Sequence, residues 1–315
     1  MNSQVYPLPN RAESEDVALR SEPEFHVTVH DKPRPVSQTL VDIGRLSADD
    51  TRLIQDYQAR TGASFADAGI SLGLLDVTDL RAVHAAEFGQ VLLSPDSGIA
   101  DELIAARDPD APAVEHLRSL RTQLTLRWFE GHERQSALAI VSPGSGEGRS
   151  WITANLAVLF AQTGKRTLLI DADLRRPRQH ALFGISSSQN GLSAILSGRA
   201  GLDTLVTIPG IPDLTLLPAG VVPPNPTELL SRPLFQRLLN ALRARYEIIL
   251  LDTPAASSGG DADTIAARAG GALVVACRDV SSVPALTSLC ENLGNFGVTV
   301  TGAVLNGAPA HGRRH

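Results

Sequence analysis

The sequence predicts an α/β fold, a doubly wound and mostly parallel sheet preceded by a small all-helical N-terminal domain. Three observations lead there. Beyond residue 137, short continuous apolar runs alternate with helical stretches, the pattern of parallel strands covered on both faces. The first of those runs passes directly into a glycine-rich loop and then a helix. Residues 36–89, by contrast, carry helical periodicity with serine starts and glycine stops.

The chain has 315 residues, enough for about two domains. Its hydrophobic fraction of 43% is ample for a sizeable core. A net charge of −6 gives no electrostatic reason to expect nucleic-acid binding. The two cysteines, Cys277 and Cys290, lack metal-type spacing and read as small buried residues of a reducing compartment. The N-terminus lacks the basic and apolar stretches of a signal peptide, and no apolar run is long enough for a membrane span. A cytoplasmic protein is expected, with any membrane association supplied by a partner.

Residues 1–35 are polar and proline-bearing and are read as a disordered tail. Residues 36–89 form the helical domain. Ser47-Ala-Asp-Asp50 and Ser64-Phe-Ala-Asp67 are capping devices, each placed before a helix. A third helix is predicted over Asp76–Phe88. Gly44 and Gly73, 29 residues apart, end helices at similar places and suggest a weak repeat of helix pairs. Residues 90–112 carry proline and glycine breakers and are read as a linker.

The α/β domain, residues 113–308, opens with a helix over Ala113–Trp128, and a short tail, 309–315, follows it. Strands are predicted at Ala137–Val141, Thr167–Ile170, Leu214–Leu217, Ile248–Leu251, Ala272–Ala276 and Val298–Val304. Helices are predicted at Ser150–Thr163, Leu234–Arg245 and Val283–Asn295.

Strand, glycine-rich loop and helix together are the context of a phosphate-binding loop. Pro143, Gly144, Ser145, Gly146, Glu147, Gly148, Arg149 and Ser150 form it, making the domain P-loop NTPase-like. The glycines let backbone N–H groups turn inward around phosphate oxygens, and the following helix adds the positive end of its dipole. Ser150 supplies the hydroxyl expected on Mg²⁺. The usual pattern has glycine at 143 and lysine at 149. Arg149 keeps the charge and offers a fork to phosphate, yet is larger than an ammonium.

Two apolar strands then end in acids. Leu168-Leu-Ile-Asp171-Ala-Asp173 places two carboxylates at alternate positions, and Leu250-Leu-Asp252-Thr-Pro a third. Ligands of open α/β sheets bind at such carboxyl ends. Mg²⁺ takes oxygen ligands, so Ser150, Asp171 and Asp252 are the expected metal residues. Asp171 is also placed to accept a proton from an attacking hydroxyl, with Asp173 sharing that work. Arg175 and Arg176 follow within reach of phosphate.

These motifs resemble those of the bacterial tyrosine kinases. The loop, Asp171-Ala-Asp-Leu-Arg-Arg-Pro177 and Leu251-Asp-Thr-Pro254 look like that family's three motifs. The likeness is strongest to its EpsG-type branch of chain length determinant protein tyrosine kinases. It implies an ATP- and Mg²⁺-dependent protein-tyrosine kinase, with Arg149, Asp171 and Asp173 in catalysis and Arg175 on the nucleotide. It also implies a membrane chain-length-determinant or polysaccharide co-polymerase partner, which would recruit the chain to the inner face of the membrane in exopolysaccharide biosynthesis. Glu115, Arg118 and Arg121 match the family's E-x-x-R-x-x-R helix, which implies a homo-oligomer interface. The helical domain resembles the front domain of type II secretion ATPases, but arginines are missing at the corresponding positions near Pro35 and Ser64. Cyclic-di-GMP binding is therefore not expected, and protein docking is the better reading.

The family's usual C-terminal tyrosine cluster has no counterpart in Ala308–His315; the tyrosines are Tyr6, Tyr57 and Tyr246, of which the last two read as packing residues. Two further readings follow. One is a nucleotide-switched scaffold or weak ATPase acting on the same partner. The other is a ParA/MinD-type ATPase, disfavoured by Gly144 where that group has a signature lysine. A dinucleotide-binding dehydrogenase is excluded, because Arg149 stands where a third glycine is required.

Overall fold

The computed structural model describes residues 37, 40–41, 44–76, 79, 91, 93, 97–131, 135–187 and 190–307. The expected tails, 1–35 and 309–315, lie outside these residues, as do Tyr6 and nearly all of the helix expected over 76–88.

Helix α1 (Ala48–Thr61) begins at Ser47, whose hydroxyl accepts the Asp50 N–H while the Asp50 side chain caps the Ser47 N–H. It stops at Gly62, whose φ of 72° is the left-handed conformation that glycine adopts without a Cβ clash. Helix α2 (Phe65–Ser71) starts in the same way at Ser64, which accepts the Asp67 N–H. Leu40, Leu46, Ile54, Ala68 and Leu75 form a small core of their own, with Tyr57 packed against it.

The stretch expected as a linker is built into the core of the α/β part. Ile99, Leu103, Ala105 and Ala106 are buried there, and a helical turn, α3 (Ile104–Arg107), carries the last two. Helix α4 (Pro112–Leu124) follows and runs on as a wider π-helical turn over Thr125–Phe129.

Next come β1 (Ala137–Val141), α5 (Arg149–Ala161), β2 (Thr167–Asp171), two short helices α6 (Gln179–Leu182) and α7 (Leu192–Leu196), β3 (Val206–Thr207) and β4 (Leu214–Leu217). The chain continues through α8 (Pro226–Ser231), α9 (Pro233–Arg243), β5 (Ile248–Asp252), α10 (Asp261–Ala269), β6 (Gly271–Cys277), α11 (Val283–Asn295) and β7 (Thr299–Asn306). The strand order is β3-β4-β2-β5-β1-β6-β7, parallel throughout except β3 against β4.

The period of two decides which helix each strand residue meets. Leu138, Ile140, Leu169, Leu250 and Leu273 face the layer containing α4 and α5. Ala137, Ala139, Val141, Ile170, Ile249 and Leu251 face the layer of α9, α10 and α11. Helix α5 is buried on nearly all sides, as its mostly apolar sequence after the first turn requires. Trp128 closes the lower end of the sheet: its indole N–H donates to the Ala137 carbonyl at 3.1 Å, and its ring lies where a Cβ on Gly271 would stand.

The cysteine reading is corrected. Cys277 is half-buried and Cys290, on an outward turn of α11, is exposed; both are free. Among the described residues no helix is long and apolar enough to cross a membrane.

Candidate phosphate and metal site

Strands β2, β5 and β1 lie side by side and bring their carboxyl ends, and therefore the three motifs, to one place. Asp171 and Asp252 are direct register partners on adjacent parallel strands. The loop leaves β1 at Ser142 and delivers its last residues into the first turn of α5. Gly146 and Gly148 have φ of 79° and 96°, and no heavy atom stands within 4 Å of where a Gly146 Cβ would be. The backbone there is bare toward the cleft, as an anion cradle needs. A Cβ on Gly148 would instead strike the Asn306 side chain at 2.1 Å, so this position must be glycine on two counts.

A cleft of about 680 Å³ opens over the loop, lined by Ser145, Gly146, Ser150, Asp173, Arg175 and Arg176, among others. Its size suits a nucleotide-sized ligand. Glu147 lies behind it, buried. Its carboxylate accepts the Gly144 N–H at 2.7 Å and the Ser281 hydroxyl, while its carbonyl accepts from Asn306. This residue braces the loop against the ends of β6 and β7.

Arg149 also lines the cleft, but its guanidinium is engaged by protein acceptors. It is 7% exposed, and its guanidinium donates to the Thr253 carbonyl at 3.0 Å, the Gly144 carbonyl at 2.6 Å and the Ser142 hydroxyl. Burial pushes its pKa down, and the nearby Asp252, Asp173 and Glu147 oppose that shift. In this arrangement Arg149 ties the loop to the end of β5.

The two motif acids also differ from the pleat argument. Strand β2 ends at Asp171, so Asp173 sits in the following turn, where its Oδ1 accepts the N–H groups of Arg175 and Arg176 at 3.1 and 2.8 Å. Arg175 is held beside the cleft by Asp261 at 2.6 Å and Thr227 at 3.0 Å, and Thr227 itself donates to Asp261. Arg178 pairs with Glu102 at 2.6 Å.

Asp171 and Asp252 are fully buried. Burial pushes the Asp171 carboxyl well above the usual range, as does repulsion from Asp252, against the pull of the Gln179 and Arg178 N–H groups. Burial likewise raises Asp252, to about 6, while the hydrogen bond from Gln179, the nearby Ser150 hydroxyl and the charge of Arg149 hold it down. Each acid keeps one oxygen, Asp171 Oδ1 and Asp252 Oδ1, buried without a hydrogen-bond partner. Orphaned acceptors of this kind at the mouth of a phosphate loop suit a hydrated divalent cation. Among the described residues no three or more His, Cys, Asp or Glu groups form a ready-made metal cage. Mg²⁺ has no need of one, since it binds through one or two carboxylates, waters and substrate phosphates.

Gln179 was not anticipated from sequence. It is fully buried between the two acids. Glu115, Arg118 and Arg121 lie on α4, away from this site. Glu115 and Arg118 pair at 3.2 Å, and Arg121 turns inward to the Leu159 carbonyl near the end of α5, also at 3.2 Å.

Residues 138–308 match the family described as the CobQ/CobB/MinD/ParA nucleotide binding domain, and the chain belongs to that family. Within it, the similar proteins are bacterial tyrosine-protein kinases. The chain is 34% identical over 253 residues to the putative tyrosine-protein kinase EpsB of Ralstonia nicotianae, a match covering 80% of this chain and 32% of that protein. It is 35% identical over 205 residues to the tyrosine-protein kinase wzc of Salmonella typhimurium, covering 65% and 28% respectively. The chain thus spans about a third or less of the length of these relatives. Among solved structures, the kinase domain of the Escherichia coli tyrosine kinase ETK superposes with a TM-score of 0.62 at 30% identity, covering 68% of this chain and 84% of that one.

Proposed function

We propose that this chain is an ATP-dependent protein-tyrosine kinase that regulates exopolysaccharide chain length or export together with a membrane co-polymerase partner. The observation that carries the kinase reading is the pair of buried, register-matched acids with orphaned oxygens beside a glycine-rich phosphate loop. Mg²⁺, when bound, neutralises phosphate charge. The chain's own residues do the rest. The N–H groups around Gly146 and Gly148 and the first turn of α5 bind phosphate oxygens. Ser150, Asp171 and Asp252 would hold the ion. Where Asp171 is not committed to the ion, it is the group placed to receive a proton from a tyrosine hydroxyl, and Asp173, which lines the cleft, shares that work. The polysaccharide role, the membrane partner and homo-oligomerisation through Glu115, Arg118 and Arg121 rest on the resemblance of the sequence motifs to the bacterial tyrosine kinases.

One observation favours a second reading, a nucleotide-switched scaffold acting on the same partner: Arg149 is spent on protein acceptors. Incubation of the full chain with labelled ATP and Mg²⁺, beside Asp171→Asn, separates the two. Label on tyrosine that is lost in Asp171→Asn is expected. Tight ATP binding with no transfer, with or without a co-polymerase cytoplasmic segment, refutes the kinase and leaves the scaffold.

A further inference from the structure

One residue touches both buried acids and the loop. The Gln179 backbone N–H donates to Asp171 Oδ2 at 2.9 Å. Its side-chain amide donates to Asp252 Oδ2 at 2.7 Å and to the Ser150 carbonyl at 3.1 Å. Gln179 opens α6, a single helical turn, and the Arg178 N–H joins it on Asp171 Oδ2 at 3.1 Å.

The consequence is a fixed division of labour among oxygens. In both acids Oδ2 is bonded to Gln179 and Oδ1 is left buried and unpartnered. A carboxylate rotates over a broad, roughly two-fold well about its last torsion. Two acids facing each other in register on neighbouring strands repel when charged, and nothing in the strands themselves selects which oxygen each presents. At Gln179 both selections meet: its backbone N–H, with that of Arg178, fixes Asp171, and its side-chain amide fixes Asp252. The residue's own Oε1 is also buried without a partner. An amide so placed has one free acceptor, which fits a water of a hydrated Mg²⁺ ion.

We propose that Gln179 is the positioning residue of the metal site: it pins Asp171 and Asp252 by their Oδ2 atoms, leaves their Oδ1 atoms to a hydrated Mg²⁺ ion, and offers Oε1 to that ion's water. A neutral amide suits this place, because a third carboxylate would add repulsion and a cation would compete with the metal. Partners that orient metal ligands without being ligands typically change metal affinity by about 10–100-fold when removed.

The inference rests on the reading of the cleft as a Mg-nucleotide site, and the test separates the two. ADP is titrated calorimetrically into the full chain, in EDTA and in Mg²⁺, for the parent, Gln179→Met, Gln179→Glu and Gln179→Asn. In the parent, Mg²⁺ tightens ADP binding; no ADP binding at all would sink the nucleotide reading itself. Gln179→Met keeps size and loses the amide. It is expected to cut the Mg²⁺-dependent gain by about tenfold or more while ADP affinity in EDTA stays within about twofold. Gln179→Glu is expected to lose still more. An unchanged Mg²⁺ gain in Gln179→Met and Gln179→Glu overturns the proposal. So does an equal loss with and without the ion, which would mark a general loop defect. Should Gln179→Met fail to melt cooperatively, Gln179→Asn, which keeps the backbone bond to Asp171 but is too short to reach Asp252, carries the comparison under the same criteria.

Discussion

Asp252→Asn should make the metal-free protein more stable, not less. The carboxyl is fully buried, and its pKa rises from an unfolded value of 3.8 to about 6, chiefly by desolvation. A carboxyl raised on folding binds its proton more tightly in the native state. The stability this lends is fully present below about pH 4 and is lost as pH climbs through about 6. At pH 8 the cost of holding the charge is the shift multiplied by about 1.4 kcal/mol per unit, or about 3 kcal/mol. Asn removes the charge and keeps an oxygen for the Gln179 amide. For an α/β domain of this size the gain corresponds to a rise in Tm of roughly 6–12 °C. Scanning calorimetry in EDTA at pH 8 reads it directly. At pH 4 the parent carboxyl is protonated when folded and the two proteins should converge. The charged groups around Asp252 are Asp171, Asp173 and Arg149, so the same scans on Asp171→Asn show how far the acids act together. Adding Mg-ADP should reverse the order, raising the Tm of the parent and leaving Asp252→Asn behind. A variant that melts at or below the parent at pH 8 in EDTA would refute the reasoning, because it would mean the buried charge is already compensated within the protein.

Arg149→Lys should destabilise the metal-free protein by about 1–3 kcal/mol, since one ammonium cannot replace contacts to Thr253, Gly144 and Ser142 along two edges of a guanidinium. An unchanged urea midpoint would show that the arginine is not a strut of the loop. Replacing Arg118 and Arg121 together by Ala should abolish self-association in sedimentation velocity runs, at a stability loss of about 1 kcal/mol for the missing Leu159 contact. An unaltered sedimentation profile would remove α4 as the interface.

The centre of the sheet was legible because β1, β2, β5 and β6 are mainly apolar runs whose alternate members meet helices on opposite faces. In β1, Leu138 and Ile140 go one way and Ala139 and Val141 the other, with no polar residue in the strand. The loop and the acids could be picked out because single glycines and aspartates at strand ends are ordinary turn residues, whereas three acids ending two apolar strands downstream of a strand, glycine-rich loop and helix are not. Three things were hidden. The role of Gln179 depends on where the turn over 172–178 returns the chain, and a glutamine in a four-residue helix carries no periodic signal. The destination of Arg149 depends on carbonyls of Thr253 and Gly144, which only the assembled fold brings near. Residues 90–112 were read through the prolines and glycine at 95, 98, 109 and 112, yet Ile99 and Leu103 sink into the core because α5 offers them an apolar face. β3, two residues long, lies below what pattern can resolve.

Asn155 gives that last segment a practical meaning. Its side chain accepts the Ala105 N–H at 2.9 Å and donates to the Glu102 carbonyl at 3.1 Å, deep within α5, and Glu102 reaches across to Arg178 beside the motif acids. A recombinant fragment started at α4, where the regular elements of the sheet domain begin, would leave a buried amide stranded and strip the apolar lid from α5. The natural cut for an autonomous domain therefore falls before residue 97, and a shorter piece would be judged inactive for reasons that have nothing to do with its chemistry.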